Sequence, residues 1–160
     1  MPIVEYAEDG RITHVMTVYQ PTVLDTMRST GKNFLVCDEI NISLSKHFVR
    51  DGMLTFMPAM DLSVSSFTIT ADGDPAVIEG LPDPCRLHMP DELGETETHE
   101  VTGGRLEFGA SDAGRYTLVF EAFPFLEKTI EITVVAPLDG AGNEPEMWGD
   151  ENADQCKQEP

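Results

Sequence analysis

The sequence has little positive charge. Ten Lys and Arg stand against 29 Asp and Glu in 160 residues, a formal net charge of −19. A surface of that kind repels phosphate backbones and anionic lipid headgroups, because it brings no counter-charge to neutralise them. Nucleic acid and membrane surfaces are therefore excluded as partners. The same charge keeps a protein soluble at high local concentration and suits a basic partner or bound cations. Long apolar runs are also missing; none approaches the ~20 residues of a membrane span. The opening stretch, MPIVEYAEDGRITHV, has no basic region followed by an apolar one. The expectation is a protein made and folded in a cytoplasm, with no signal peptide.

Cysteine is scarce. Cys37, Cys85 and Cys156 are widely spaced and none has a C-x-x-C neighbour, which argues against a zinc knuckle or a thioredoxin-like site. Two readings stay open: all the thiols remain reduced, or Cys156, in a polar stretch, pairs with another chain under oxidising conditions. The four histidines, His14, His47, His88 and His99, fall on different expected elements without metal-ligand spacing. No G-x-S-x-G, phosphate-cradling glycine loop or EF-hand pattern is present. No pair of carboxylates stands out as acid and base. The stretches ADGDP and DELGETE carry oxygen ligands of the kind calcium takes, but turn chemistry accounts for the first and a solvated loop for the second. No catalytic residue, cofactor or metal is expected, and the protein does not read as an enzyme.

What is there is a core in two styles. Hydrophobic residues make up 41% of the chain, enough for one ordinary domain or two small ones. The first stretch, PIVEYAEDGRITHVMTVYQ, reads as a hairpin turning at Asp9-Gly10, with Glu8 facing Arg11 across the strands. In PTVLDTMRSTGKN, Pro21 suits a first helical turn, Val23, Leu24 and Met27 share a side, and Gly31 ends a helix of about ten residues. NFLVCD resembles a buried strand. HFVRDGMLTFMP is a second hairpin, in which Val49 opposes Leu54 and His47 opposes Phe56 about the Asp51-Gly52 turn. This α+β unit, residues 1–60, is too small to be comfortably stable alone and is expected to lean on its neighbour or on a partner.

From Leu62 the pattern is strands only. Phe67 and Ile69 fall to one side before a turn at Asp72-Gly73, and PAVIEGLP makes a short strand. Cys85, Leu87 and Met89 alternate against Arg86 and His88, and Leu106 pairs with Phe108 on one side. Tyr116, Leu118, Phe120 and Ala122 form one row, and Ile130, Ile132 and Val134 another. Short strands at this spacing read as an immunoglobulin-like antiparallel β-sandwich over residues 61–136. Asp112, Gly114 and Tyr116 stand where such sandwiches carry their tyrosine corner, and Leu118 replaces the cysteine of antibody-type domains. The fold class expected is thus mainly β: an α+β module, a sandwich, and an acidic tail over residues 137–160. That tail has seven acidic residues and one lysine, and composition of that kind stays solvated unless a partner orders it. Trp148, the only tryptophan, reads equally as a docking anchor or as an incidental ring.

The order of these motifs resembles a known group. DGRI, a short helix ending in Gly, HFVRDGMLTFMPAM, then TITADGDPAVIEGLPDP and GRYTLVFEAFPFLEKTIEITV look like small virion proteins of tailed bacteriophages, over about residues 5 to 135. In these proteins a compact module leads through a Y/F-V-x-D-G-x-L-x-x-x-P-x-M hairpin into an Ig-like domain. The resemblance implies a non-catalytic structural protein of the particle, present in several copies, which decorates the capsid or accompanies tail fibres. The module would attach to other virion proteins and the Ig-like domain would project. Exposed strand edges are the physical means of such contact. The candidate contact residues are Phe48, Met53 and Phe56 on the second hairpin, Phe123 and Phe125 around Pro124, and Trp148. A second class of function is an Ig-like adhesion module for a receptor or glycan.

Overall fold

The computed structural model describes residues 1–17, 20–38, 41–90 and 95–138. Over these residues the chain is mainly β, with one helix and several antiparallel sheets. Strand β1 (Ile3–Tyr6) lies between β2 (Ile12–Met16) and β3 (Asn33–Val36), antiparallel to both, so Val4 faces Val15 on one side and Leu35 on the other. Between them runs α1 (Pro21–Ser29), with Pro21 in its first turn, where a missing N–H costs nothing. Met27 is buried, Val23 and Leu24 are half-buried, and Gly31 takes the left-handed conformation just past the end.

The β1–β2 connection differs from the tight turn expected. Gly10 has positive φ and Asp9 does not, so the loop spans Ala7 to Arg11, closed by Ala7 N–H donating to Arg11 O at 2.9 Å. A bulge between Glu5 and Tyr6 accompanies it. Arg11 therefore bonds to Asp9, through its backbone N–H at 3.0 Å and its guanidinium at 3.7 Å, and does not face Glu8. Gly10 is required twice over. Its φ of +90° disfavours any side chain, and a Cβ there would collide with the carbonyl oxygen of Val49.

That carbonyl belongs to β4 (His47–Arg50), which pairs with β5 (Met53–Phe56) around Asp51 and Gly52, both at positive φ as a tight hairpin turn requires. Val49 opposes Leu54 and His47 opposes Phe56, in the expected register. Val49 N–H donates to Gly10 O at 2.8 Å, which fastens the hairpin to the β1–β2 loop. Val4, Ile12, Cys37 and Val49 form a small buried cluster here.

The described residues beyond Asp61 form eight strands: β6 (Ser63–Val64), β7 (Thr68–Thr70), β8 (Ala76–Glu79), β9 (Cys85–Pro90), β10 (Thr96–Val101), β11 (Arg105–Phe108), β12 (Gly114–Glu121) and β13 (Lys128–Val135). Five of them make a sheet in the order β10-β9-β12-β13-β7, and three make a second in the order β11-β8-β6. All pairings are antiparallel except β13 with β7. Alternation along the strands turns one row of each sheet into a single cluster. The three-stranded sheet gives Ala76, Ile78 and Phe108, and the five-stranded sheet gives Leu87, Leu118, Phe120, Ile130, Ile132 and Val134. Leu118, Phe120 and Ile132 are fully buried.

Two expectations fail in this half. Phe67 does not join Ile69 inside: it is 59% exposed, because Thr68 N–H bonds to Ser66 Oγ in a bend that breaks alternation just before β7. Strand β10 was not expected at all. Five of its six residues are exposed, so period-2 hydrophobicity gives no sign of it. Polar and charged side chains on such an edge discourage pairing with other chains.

The two halves meet through the Phe123-Pro124-Phe125 segment. Phe123 packs edge-on against Phe48 with ring centroids 5.8 Å apart, and Leu126 N–H donates to Pro58 O at 2.8 Å. Met60 lies in the larger cluster.

Candidate functional site

Along this junction runs a cleft of about 590 Å³. The β1–β2 loop supplies Asp9 and Arg11, the segment before β9 supplies Pro82, Asp83 and Pro84, and the end of β12 supplies Glu121 and Ala122. Phe123 and Phe125 form an apolar wall. Arg86 and Glu100 complete the lining, placed by register: Glu100, Arg86 and Glu121 stand opposite one another across β10, β9 and β12. Even-numbered residues of β9 and β10 point away from the core, since their odd-numbered neighbours Cys85, Leu87 and Val101 are buried in it.

Four carboxylates and two guanidinium groups therefore share this cleft. Arg11 lies over the Phe123 ring, 4.8 Å from its centre, while its own Asp9 holds the guanidinium from the side. Asp83 Oδ2 accepts the Gly103 N–H at 3.1 Å. Among the described residues, Glu100 and Arg86 have no ion pair. Glu121 Oε2 is 3.1 Å from His88 Nε2, and His88 Nδ1 is 2.9 Å from Thr98 Oγ1. In the neutral ring this makes Thr98 the donor to Nδ1 and Nε2–H the donor to Glu121. These three groups satisfy one another across neighbouring strands, as polar residues on an exposed antiparallel face do.

Cys85 is buried beneath this row. Burial pushes its thiol above the ordinary value; a hydrogen bond from the Glu121 backbone works against that rise, and the Glu121 charge adds to it. It stays a thiol at neutral pH, which suits packing and disfavours nucleophilic chemistry. His47 is also buried, with its ring 4.4 Å from that of Phe56. Ser43 N–H approaches Nδ1 at 3.1 Å, while Ser43 O already accepts the His47 backbone N–H at 2.9 Å. Ser43 O also lies 3.2 Å from Nδ1, so the tautomer sets which of these bonds Nδ1 makes, and the buried Nε2 has no hydrogen-bond partner among the described residues. No group of three His, Cys, Asp or Glu among the described residues could hold a metal ion.

Asp112, Gly114 and Tyr116 come together at the start of β12. Tyr116 Oη donates to Asp112 O at 3.0 Å, and its ring packs on Phe108 with centroids 5.4 Å apart. Met53 and Phe56 are 65% and 66% exposed. Phe48 is different. It is 5% exposed, its ring occupied by Phe123, and so it has no surface to offer a partner. Phe123 and Phe125 are half-buried on the cleft wall. Trp148 and Cys156 lie outside the described residues. Of the calcium-type stretches, Asp72 sits in a turn at positive φ, donating its N–H to Ala110 O at 3.1 Å. Residues 91–94 of the other lie outside the described residues, and Thr96 and Glu97 belong to β10.

The cleft itself was not visible in the sequence. Arg86 reads there only as an outward residue, and its meeting with Glu100 and Glu121 depends on the unexpected strand β10. No helix among the described residues is long and apolar enough to cross a membrane. No protein-family model matches the chain, and no curated protein matches its sequence.

Proposed function

We propose that this protein is a non-enzymatic component of a tailed-phage particle, an accessory or decoration protein that binds other virion proteins on the capsid or tail in several copies. The observation that carries the reading is the outer hairpin. Met53 and Phe56 expose large apolar surfaces on a chain of net charge −19, and β5 pairs only with β4 among the described residues. The Met57 N–H to Lys46 O bond at 2.8 Å fixes the ladder so that Leu54 and Phe56 turn their backbone N–H and C=O groups away from β4. A neighbouring subunit can extend the sheet there and pack on Phe56 from one face of the hairpin and on Met53 from the other.

The finer fold assignment belongs to the same proposal: residues 61–136 as an Ig-like sandwich that projects from the attachment module, followed by the acidic tail. The strand order supports it. The chain enters through β6 in one sheet and passes through β7, parallel to β13, in the other, while β9 and β12 pair at the centre of the larger sheet. The tyrosine hydrogen bond at the start of the penultimate strand agrees with it. A second reading, an adhesion module for a receptor or glycan, draws support from the aromatic-walled polar cleft.

Mass spectrometry of purified particles tests the leading reading. It expects the protein at a fixed copy number per particle, high for capsid decoration and low for a tail ornament. Particles that lack the protein, from cells that make it, would overturn the reading.

A further inference from the structure

We infer that the junction cleft is a binding site for a basic peptide segment, with an Arg or Lys side chain held between the Glu100–Glu121 row and the Phe125 side of the wall. This stands apart from the hairpin contact and from the particle. The first support is charge. Asp9 is used by Arg11; of the other three carboxylates Asp83 accepts the Gly103 N–H, Glu121 the His88 ring N–H, and Glu100 stands beside Arg86, the second guanidinium of the cleft, so negative charge remains in excess in a recess rather than on a convex surface. A concave site with an excess of one sign raises the local concentration of the opposite charge, and the whole chain at −19 adds to that field.

The second support is that the chain performs the same recognition on itself. Arg11 places its guanidinium on the Phe123 ring with a carboxylate at its side, the geometry in which a cation gains from both ring and charge. The third is shape. A smaller cavity of about 220 Å³ shares Arg11, Glu121, Phe123 and Phe125 with the cleft and reaches Glu127. The recess is thus longer than one side chain needs, and it offers a further carboxylate to a second basic residue. An anionic ligand would meet more carboxylates than guanidinium groups. A neutral one would leave Glu100 unpaired in the occupied site, at a desolvation cost.

The test is a titration of the full-length 15N-labelled protein with the peptide acetyl-Arg-Gly-Arg-amide at ~0.15 M salt, where diffuse surface attraction is largely screened. Saturable amide shifts are expected at Asp83, Arg86, Glu100, Glu121 and Phe123. Glu100→Gln should weaken binding about two- to five-fold. Glu131→Gln, which removes the same charge from the outer face of β13 away from the cleft, should leave it unchanged. Both are exposed sites, and the unliganded spectrum of each variant reports directly that it folds. Shifts that never saturate or that spread over the acidic surface would overturn the inference. So would equal weakening by both variants, or cleft shifts produced by lactose and not by the peptide.

Discussion

At the scale of single residues, a half-buried tyrosine and a buried thiol help hold the second half together, and their substitutions have definite costs. Tyr116 hydroxyl bonds a carbonyl four residues back, and its ring closes the end of the core against Phe108. Tyr116→Phe keeps the ring and removes the bond, so urea denaturation should show a loss of about 0.5–1.5 kcal/mol. Cys85 makes a pH-dependent contribution whose sign is set by burial. Its thiol ionises at higher pH in the folded chain than in the unfolded one. The unfolded state therefore gives up its proton first as pH rises. The stabilisation is complete below the ordinary thiol range and declines as pH climbs through and above it. Denaturation midpoints measured from pH 7 upward should fall more steeply for the natural chain than for Cys85→Ala. Parallel curves would mean that this thiol is not shielded.

At the scale of elements, what the sequence revealed was local. The β4–β5 hairpin was legible because its turn and both strands lie within about ten consecutive residues, and Asp51-Gly52 permits few alternatives. The rows of Leu118 and Phe120, and of Ile130 and Ile132, were legible because burial on one face imposes period 2. What escaped depended on partners distant in sequence. Strand β10 is held by β9 and not by its own polar composition, and Phe67 was displaced by one serine bond. The cleft needed four separate segments to meet, around residues 9–11, 82–86, 100 and 121–125, and no spacing within any of them announces it. The junction between halves belongs at this scale too. Phe123 holds Phe48 and Arg11 together, so Phe123→Ala should cost about 2 kcal/mol through lost packing and ring contacts. Hydrogen exchange should then quicken in β4 and β5 while β12 and β13 keep their protection. Equal quickening everywhere would show that the halves unfold as one unit.

At the scale of the whole molecule, the protein is acidic, and among the described residues its large exposed apolar side chains include Met53 and Phe56, on one hairpin whose β5 edge has no strand beside it. Its buried hydrophobic residues gather mainly in one cluster between the two sheets of the second half, with a smaller one in the first. The function proposed above lies on two surfaces: the β5 edge, as the attachment surface, and the junction cleft, as the site for a basic segment. The most direct measurement is the incorporation of a Met53→Ser, Phe56→Ser double variant into particles, scored by quantitative mass spectrometry beside the natural chain. Both side chains are exposed, so the variant should fold with an unchanged far-UV spectrum. It should nevertheless be lost from purified particles. Incorporation at the natural copy number would contradict attachment through the β5 edge.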